Sequence, residues 1–224
     1  TIRLARSTPA QGAVILAGIM RAIAKFLSVL LHPLFMPLYL VMLIFQIDPH
    51  VAFFLAPEHR WIIFGMVALM TIAFPLTSTV LLLRTGIISS LQMPERGERI
   101  PPYLLTLIYY GMMWYLLQRT PLHWTVGALF IGIFVALLFT TLITLKWKIS
   151  AHMVGIGGVL GAICGLTTLH GLNTFFVIAG LILVAGILGT MRLLITDHTP
   201  AQIYAGTALG VACTYASVIF GIGS

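Results

Sequence analysis

The chain has 224 residues, of which 60% are hydrophobic and 8% charged, and its mean hydropathy is +1.08. A soluble domain is about 45–50% apolar, so a water-soluble globule is excluded, and several runs reach the ~20 apolar residues that cross a ~30 Å hydrocarbon layer. The net charge of +7 would suggest nucleic acid in a soluble protein. Here the basic residues stand at the ends of apolar runs, which points away from nucleic acid and toward the bilayer and its anionic or phosphorylated lipids.

The runs are continuous rather than alternating, which argues against a β-barrel and for an all-α, polytopic membrane helical bundle. Cys164 and Cys213 lie inside apolar runs and read as small core residues. No disulfide framework or metal-ligand spacing is visible, and no metal or cofactor is expected. No short apolar core ends at a small-residue cleavage site, so no signal peptide is read.

In chain order, residues 1–11 are polar and read as a loose tail. Residues 12–31 are apolar but carry Arg21, Lys25 and Ser28, which with His32 fall at steps of four, three and four on one helical face. That stripe suits an interfacial amphipathic helix, with a tilted first span as the alternative. Residues 1–31 are thus an N-terminal tail and helix, and 32–224 a single transmembrane domain. A first span is expected over 33–47, ended by Asp48-Pro49-His50. The second, 61–83, contains Pro75, a kink whose freed carbonyls Thr77, Ser78 and Thr79 are placed to satisfy. A polar connection, 84–100, carries Pro94-Glu95-Arg96-Gly97-Glu98-Arg99. The third span, 101–118, has Tyr103, Tyr109, Tyr110, Trp114 and Tyr115 as belt candidates. The fourth, 124–145, ends at Lys146-Trp147-Lys148. The fifth, 151–169, follows Ser150 and holds five glycines that favour close helix approach. The sixth covers 174–193. The seventh, 200–221, opens with Thr199-Pro200-Ala201-Gln202, a capping box with proline at the first helical position.

Seven spans put the loops after the second, fourth and sixth on one face of the membrane. Those loops carry Arg96 and Arg99, then Lys148, Ser150 and His152, then Arg192 and His198. Together they describe an anion site. Arginine gives bidentate donors to phosphate oxygens. Ser150 stands where a helix N-terminus offers free N–H groups. One histidine can attack phosphorus and the other protonate a leaving oxygen. Plainer readings stand beside these: Arg96, Arg99, Lys146 and Lys148 as positive-inside residues, Glu95 and Glu98 as their partners, Ser150 and Gln202 as capping residues. His32, His50, His59, His123 and His170 lie at span ends and read as interfacial polar residues.

The same blocks resemble the type 2 phosphatidic acid phosphatase superfamily of membrane lipid phosphatases. Its pattern is Lys-x6-Arg-Pro, then Pro-Ser-Gly-His, then Ser-Arg-x5-His-x3-Asp. The chain offers Arg96-Gly97-Glu98-Arg99-Ile100-Pro101, then Ile149-Ser150-Ala151-His152, then Met191-Arg192, His198 and Gln202 at matching intervals. The wording is similar to a divergent bacterial branch, and the resemblance covers about residues 80–215. It implies a six-helix phosphatase-like core with an extra N-terminal helix, about seven transmembrane helices in all. It also implies His198 as the nucleophile forming a phosphohistidine and His152 as general acid. Ser150, Arg192 and Arg99 would bind the phosphoryl oxygens, and Arg96 would stand in for the first-block lysine at a different spacing. Gln202 replaces the aspartate that orients the nucleophile. Its carbonyl can accept the Nδ1–H bond but cannot stabilise an imidazolium by charge, and losing such a carboxylate can cost ~10⁴ in rate.

The expected function is therefore hydrolysis of a lipid phosphate or pyrophosphate without a metal. The alternative is a non-catalytic relative that binds anionic lipid or serves as a subunit beside a membrane-protein partner or a second copy of itself. The expected location is a bacterial inner membrane, with the motif face cytoplasmic by its excess of Lys and Arg.

Overall fold

The structure is a computed structural model that describes residues 9–53, 55–91, 93, 95, 97–196 and 198–222. Every regular element among them is helical, because lipid leaves no other partner for backbone N–H and C=O groups. The elements are α1 (Pro9–Leu30), α2 (Met36–Ile47), the short α3 (Pro49–Phe53), α4 (Pro57–Ala68), α5 (Phe74–Arg84), α6 (Ile100–Leu117), α7 (Trp124–Thr144), α8 (Ala151–His170), α9 (Phe175–Ile195) and α10 (Pro200–Ile219). Among the described residues, six helical segments are long and apolar enough to cross a membrane, the first running from α1 into α2. The protein is an integral membrane helical bundle. α6 is not one of the six; its prolines and tyrosines dilute its hydropathy, although it joins opposite ends of α5 and α7.

α4 and α5 form one rod joined by a π-helical turn, Leu69–Ala73. Pro75 explains the turn. It has no N–H for the carbonyl four residues back, and its ring crowds that carbonyl; widening the helix there relieves both. Thr79 Oγ1 donates to the Pro75 carbonyl at 2.7 Å, whereas Ser78 Oγ instead meets Tyr109 Oη at 2.6 Å.

The centre of the bundle is the α8–α10 pair. Ser150 and Met153 meet Gly206, Val154 and Gly158 meet Gly210, and Gly165 meets Val218, so the two helices run parallel. A Cβ on Gly157, Gly161 or Gly210 would overlap backbone atoms of the facing helix. Thr214 Oγ1 donates across the pair to the Gly158 carbonyl at 2.8 Å. α7 closes on the same seam, where Ser217 Oγ donates to the Ala128 carbonyl and a Cβ on Gly132 would stand 2.9 Å from Thr214 Cα. Parallel α8 and α10 make α9 their antiparallel return, so the connections before α8 and before α10 share one end of the bundle.

α2 runs parallel to α8 and is tied to it at both ends. The His32 and His152 rings stand 5.3 Å apart at one end, and Asp48 meets His170 at the other. α1 packs on α9 and approaches α8. Ala24 and Ser28 are buried, while Arg21 and Lys25 on the same stripe are exposed. The stripe therefore turns inward over its last turn instead of facing one environment along its length.

Candidate functional site

A cavity of about 230 Å³ lies at the end of the bundle shared by the α8 and α10 N-termini. Arg99, His152, Arg192 and His198 all line it, although they come from three separate stretches of chain. Below this polar mouth the walls are apolar, with Met36, Leu40, Ile133 and Val159 among them. The enclosure can hold an anion at its mouth and a hydrocarbon segment beneath it.

Arg99 ends a 3₁₀ turn, Gly97–Arg99, that leads into α6. Its Nε–H donates to the Met93 carbonyl at 3.0 Å, which fixes the guanidinium plane. Met93 itself has φ of +46°, a left-handed conformation uncommon outside glycine. The connection is pinned by the Ser89 N–H, which donates to Glu98 Oε1 at 2.8 Å. Hydrogen bonding to Ser89 holds the Glu98 carboxyl below its usual range. Glu98 therefore braces the loop instead of pairing with Arg99.

His198 precedes α10, where the capping box forms. The Gln202 N–H donates to Thr199 Oγ1 at 3.4 Å, and Gln202 Oε1 accepts the Thr199 N–H at 3.1 Å. The same Oε1 lies 3.0 Å from His198 Nδ1. An amide oxygen can only accept, so in the neutral imidazole Nδ1 carries the proton and Nε2 keeps its lone pair. Gln202 thus serves both as a cap and as the tautomer-fixing partner of His198. Burial pushes the His198 pKa below its ordinary value. The Gln202 bond opposes this shift, and the positive charges of Arg192, Arg99 and Lys148 reinforce it.

His152 is held differently. Its Nε2 lies 3.1 Å from the Ser28 carbonyl of α1, so Nε2 carries a proton. Beside it, His32 Nδ1 accepts the Leu34 N–H at 3.3 Å, and the ring lines the same cavity. Ser150 caps α8 by position alone: its side chain makes no capping hydrogen bond. Its Oγ is fully buried without a hydrogen-bond partner among the described residues, as are Arg192 Nε and Ser28 Oγ. Unpartnered buried polar atoms cost about 1–3 kcal/mol each, and of these three residues Arg192 lines the cavity.

The predicted residues thus divide. Arg99, His152, Arg192 and His198 line the cavity. Ser150 is buried at the head of α8 and is not part of the lining. Gln202 stands behind His198, and Thr199 is an exposed cap. Arg96 lies outside the described residues. His32 and Tyr103, which are not among the predicted site residues, also line the cavity. The signal for His32 was present, since it ends the stripe that includes Ser28. Tyr103 was grouped with the belt aromatics, and of these Tyr115 fits best, being exposed with its Oη accepting from Arg119 at 2.9 Å. No family model, curated protein or solved structure matches the chain.

Proposed function

We propose that the protein is a membrane lipid phosphatase, akin to the type 2 phosphatidic acid phosphatases, acting on a lipid phosphate or pyrophosphate. The observation that carries the reading is the pairing of His198 Nδ1 with Gln202 Oε1 at 3.0 Å, beside two cavity-lining arginines. It leaves an imidazole lone pair free at a place built for an oxyanion. In this mechanism Arg192 and Arg99 hold the phosphoryl oxygens and neutralise the charge that develops on them. His198 Nε2 forms a bond to phosphorus as the phosphorus–oxygen bond to the lipid breaks. The leaving oxygen takes a proton from His152 Nδ1, for which His152 enters the step as the imidazolium, a form that the bound anionic phosphate favours, while Nε2–H stays on the Ser28 carbonyl. Water then attacks the phosphohistidine, giving its proton to His152 Nδ1, and free phosphate leaves. The apolar lower walls hold the start of the lipid tail. The chain belongs by this reading in a bacterial inner membrane, with the site on the cytoplasmic side where its cations concentrate.

A second reading rests on one feature of the same pair. Gln202 is neutral, so it orients His198 without stabilising an imidazolium, and a site of this kind can retain an anionic lipid without cleaving it. Phosphate release in lipid–detergent micelles separates the two. The substrates are phosphatidate, phosphatidylglycerophosphate and a polyprenyl pyrophosphate, with His198→Ala as the paired control. The phosphatase reading expects release that disappears in His198→Ala. No release above that variant on any of the three lipids refutes it in favour of binding alone.

A further inference from the structure

The other end of the bundle carries a second cluster that the phosphatase reading does not use. Asp48 ends α2 and is fully buried. Its Oδ2 lies 2.6 Å from His170 Nδ1 at the end of α8, and its Oδ1 lies 3.3 Å from His50 Nδ1 at the start of α3. Among the described residues these two imidazoles are its ion-pair partners. A carboxylate wholly removed from water is costly unless it is paired or bound to a metal ion.

One ligand atom from each of Asp48, His50 and His170 lies within 4.8 Å of the others. Ligands at about 2.1 Å from a tetrahedral ion stand about 3.4 Å apart. The Asp48 Oδ1–His50 Nδ1 spacing is 3.3 Å and the Oδ2–His170 Nδ1 spacing 2.6 Å, so each carboxylate oxygen stands within about 1 Å of that value from one imidazole. Oδ1 also accepts the His50 N–H at 3.0 Å. That bond to His50 orients the carboxylate from outside the ligand set, as outer-shell donors do at metal sites. The His123 ring stands 5.5 Å from that of His170, but its Nδ1 lies 2.9 Å from Thr125 Oγ1. Among the described residues, Asp48, His50 and His170 are the group whose ligand atoms come together here.

We propose that Asp48, His50 and His170 bind one divalent transition-metal ion of the zinc class, which clamps the ends of α2, α3 and α8 together. Two imidazoles and one carboxylate suit zinc and disfavour magnesium or calcium, which take all-oxygen sets. On binding, the ion replaces the proton shared by His170 Nδ1 and Asp48 Oδ2, and that proton is released to solvent. His50 is more than half exposed, which gives the ion a route in from the aqueous face. The proposal does not depend on the chemistry at His198.

The test uses the full chain without an affinity tag, purified in detergent, stripped with EDTA and desalted. Zinc chloride is titrated calorimetrically, and the thermal unfolding midpoint is read with and without zinc. The expected result is one zinc per chain and a raised midpoint. Affinity should fall at least ~10-fold, the usual cost of losing a ligand or its support, in both His50→Gln and His170→Gln, while His198→Gln keeps it. His50→Gln alters an exposed side chain, so it reports even if His170→Gln fails to fold. Absence of zinc binding by the unaltered protein overturns the proposal. So does binding that survives His50→Gln and His170→Gln but is lost in His198→Gln, since the ion would then sit in the cavity at the opposite end.

Discussion

Replacing Gln202 with glutamate tests the central geometry directly. The change is nearly isosteric, so the carboxylate oxygen can keep both bonds that Gln202 Oε1 now makes, to the Thr199 N–H at 3.1 Å and to His198 Nδ1 at 3.0 Å. What changes is charge. Two unit charges about 4 Å apart attract by ~1 kcal/mol in water and ~4 kcal/mol at an effective dielectric constant of ~20. His198 is buried at the mouth of a cavity, so the gain lies between those limits. At ~1.4 kcal/mol per pH unit, the His198 pKa should rise by about 1–3 units, the range a neighbouring opposite charge usually produces. The rise works against burial and against Arg192, Arg99 and Lys148, which hold the pKa down in the native protein. The measurement is a titration of histidine ring resonances in detergent-solubilised, ¹⁵N-histidine-labelled protein, with His198→Gln identifying the signal. A His198 pKa that stays put or falls in Gln202→Glu would show that the two side chains are not paired as described, and the nucleophile assignment would go with it.

The same shift sets a pH dependence of stability. In the native protein the His198 pKa is depressed, so the unfolded chain binds the proton more readily and stability falls as pH drops from about 6.5 through the folded value. In Gln202→Glu the sign reverses for this group once its pKa exceeds the unfolded one: its contribution is full below about 6.5 and is lost as pH rises through the raised value. Thermal midpoints measured from pH 5 to 8 on both proteins check the reversal. Thr199→Ala should lower stability by about 1 kcal/mol through loss of the α10 cap, read as a lower midpoint. Gly210→Val should lower it by about 1–3 kcal/mol or more, because its side chain would overlap the Val154 carbonyl and Gly158 N. Gly65→Ala, with no heavy atom within 4 Å of the added carbon, should leave the fold intact; equal losses in the two glycine variants would refute the close α8–α10 seam.

The helices were legible because lipid imposes a simple rule: long apolar runs, ended by prolines and charges, must satisfy their backbone internally. The fifth and seventh spans were also marked for close approach by their glycines. The partner was not marked, since Gly157 and Gly161 press on the backbone of α10 and nothing in α8 alone names that helix. The parity of the spans gave the common end for Arg99, His152, Arg192 and His198. It could not give the inward turn of the α1 stripe, where exposed Lys25 and buried Ser28 sit three residues apart on one face.

The histidines show where reading from sequence stops. His198 meets Gln202 four residues on, a local pair that the interval within the third motif block already marks. His152 takes its partner from Ser28, 124 residues away, and His170 from Asp48, 122 residues away. In an apolar chain a histidine at a helix end is the expected interfacial residue, so composition assigns all such positions alike. Long-range partners divide them. At one end His198, His152 and His32 line a cavity with cations and no described carboxylate, an arrangement suited to an anion. At the other, His50 and His170 share one buried carboxylate, an arrangement suited to a cation. α2 and α8 run between the two ends, so the same pair of helices carries imidazoles of opposite electrostatic setting, and the sign of each site follows from which partner the fold brings to it.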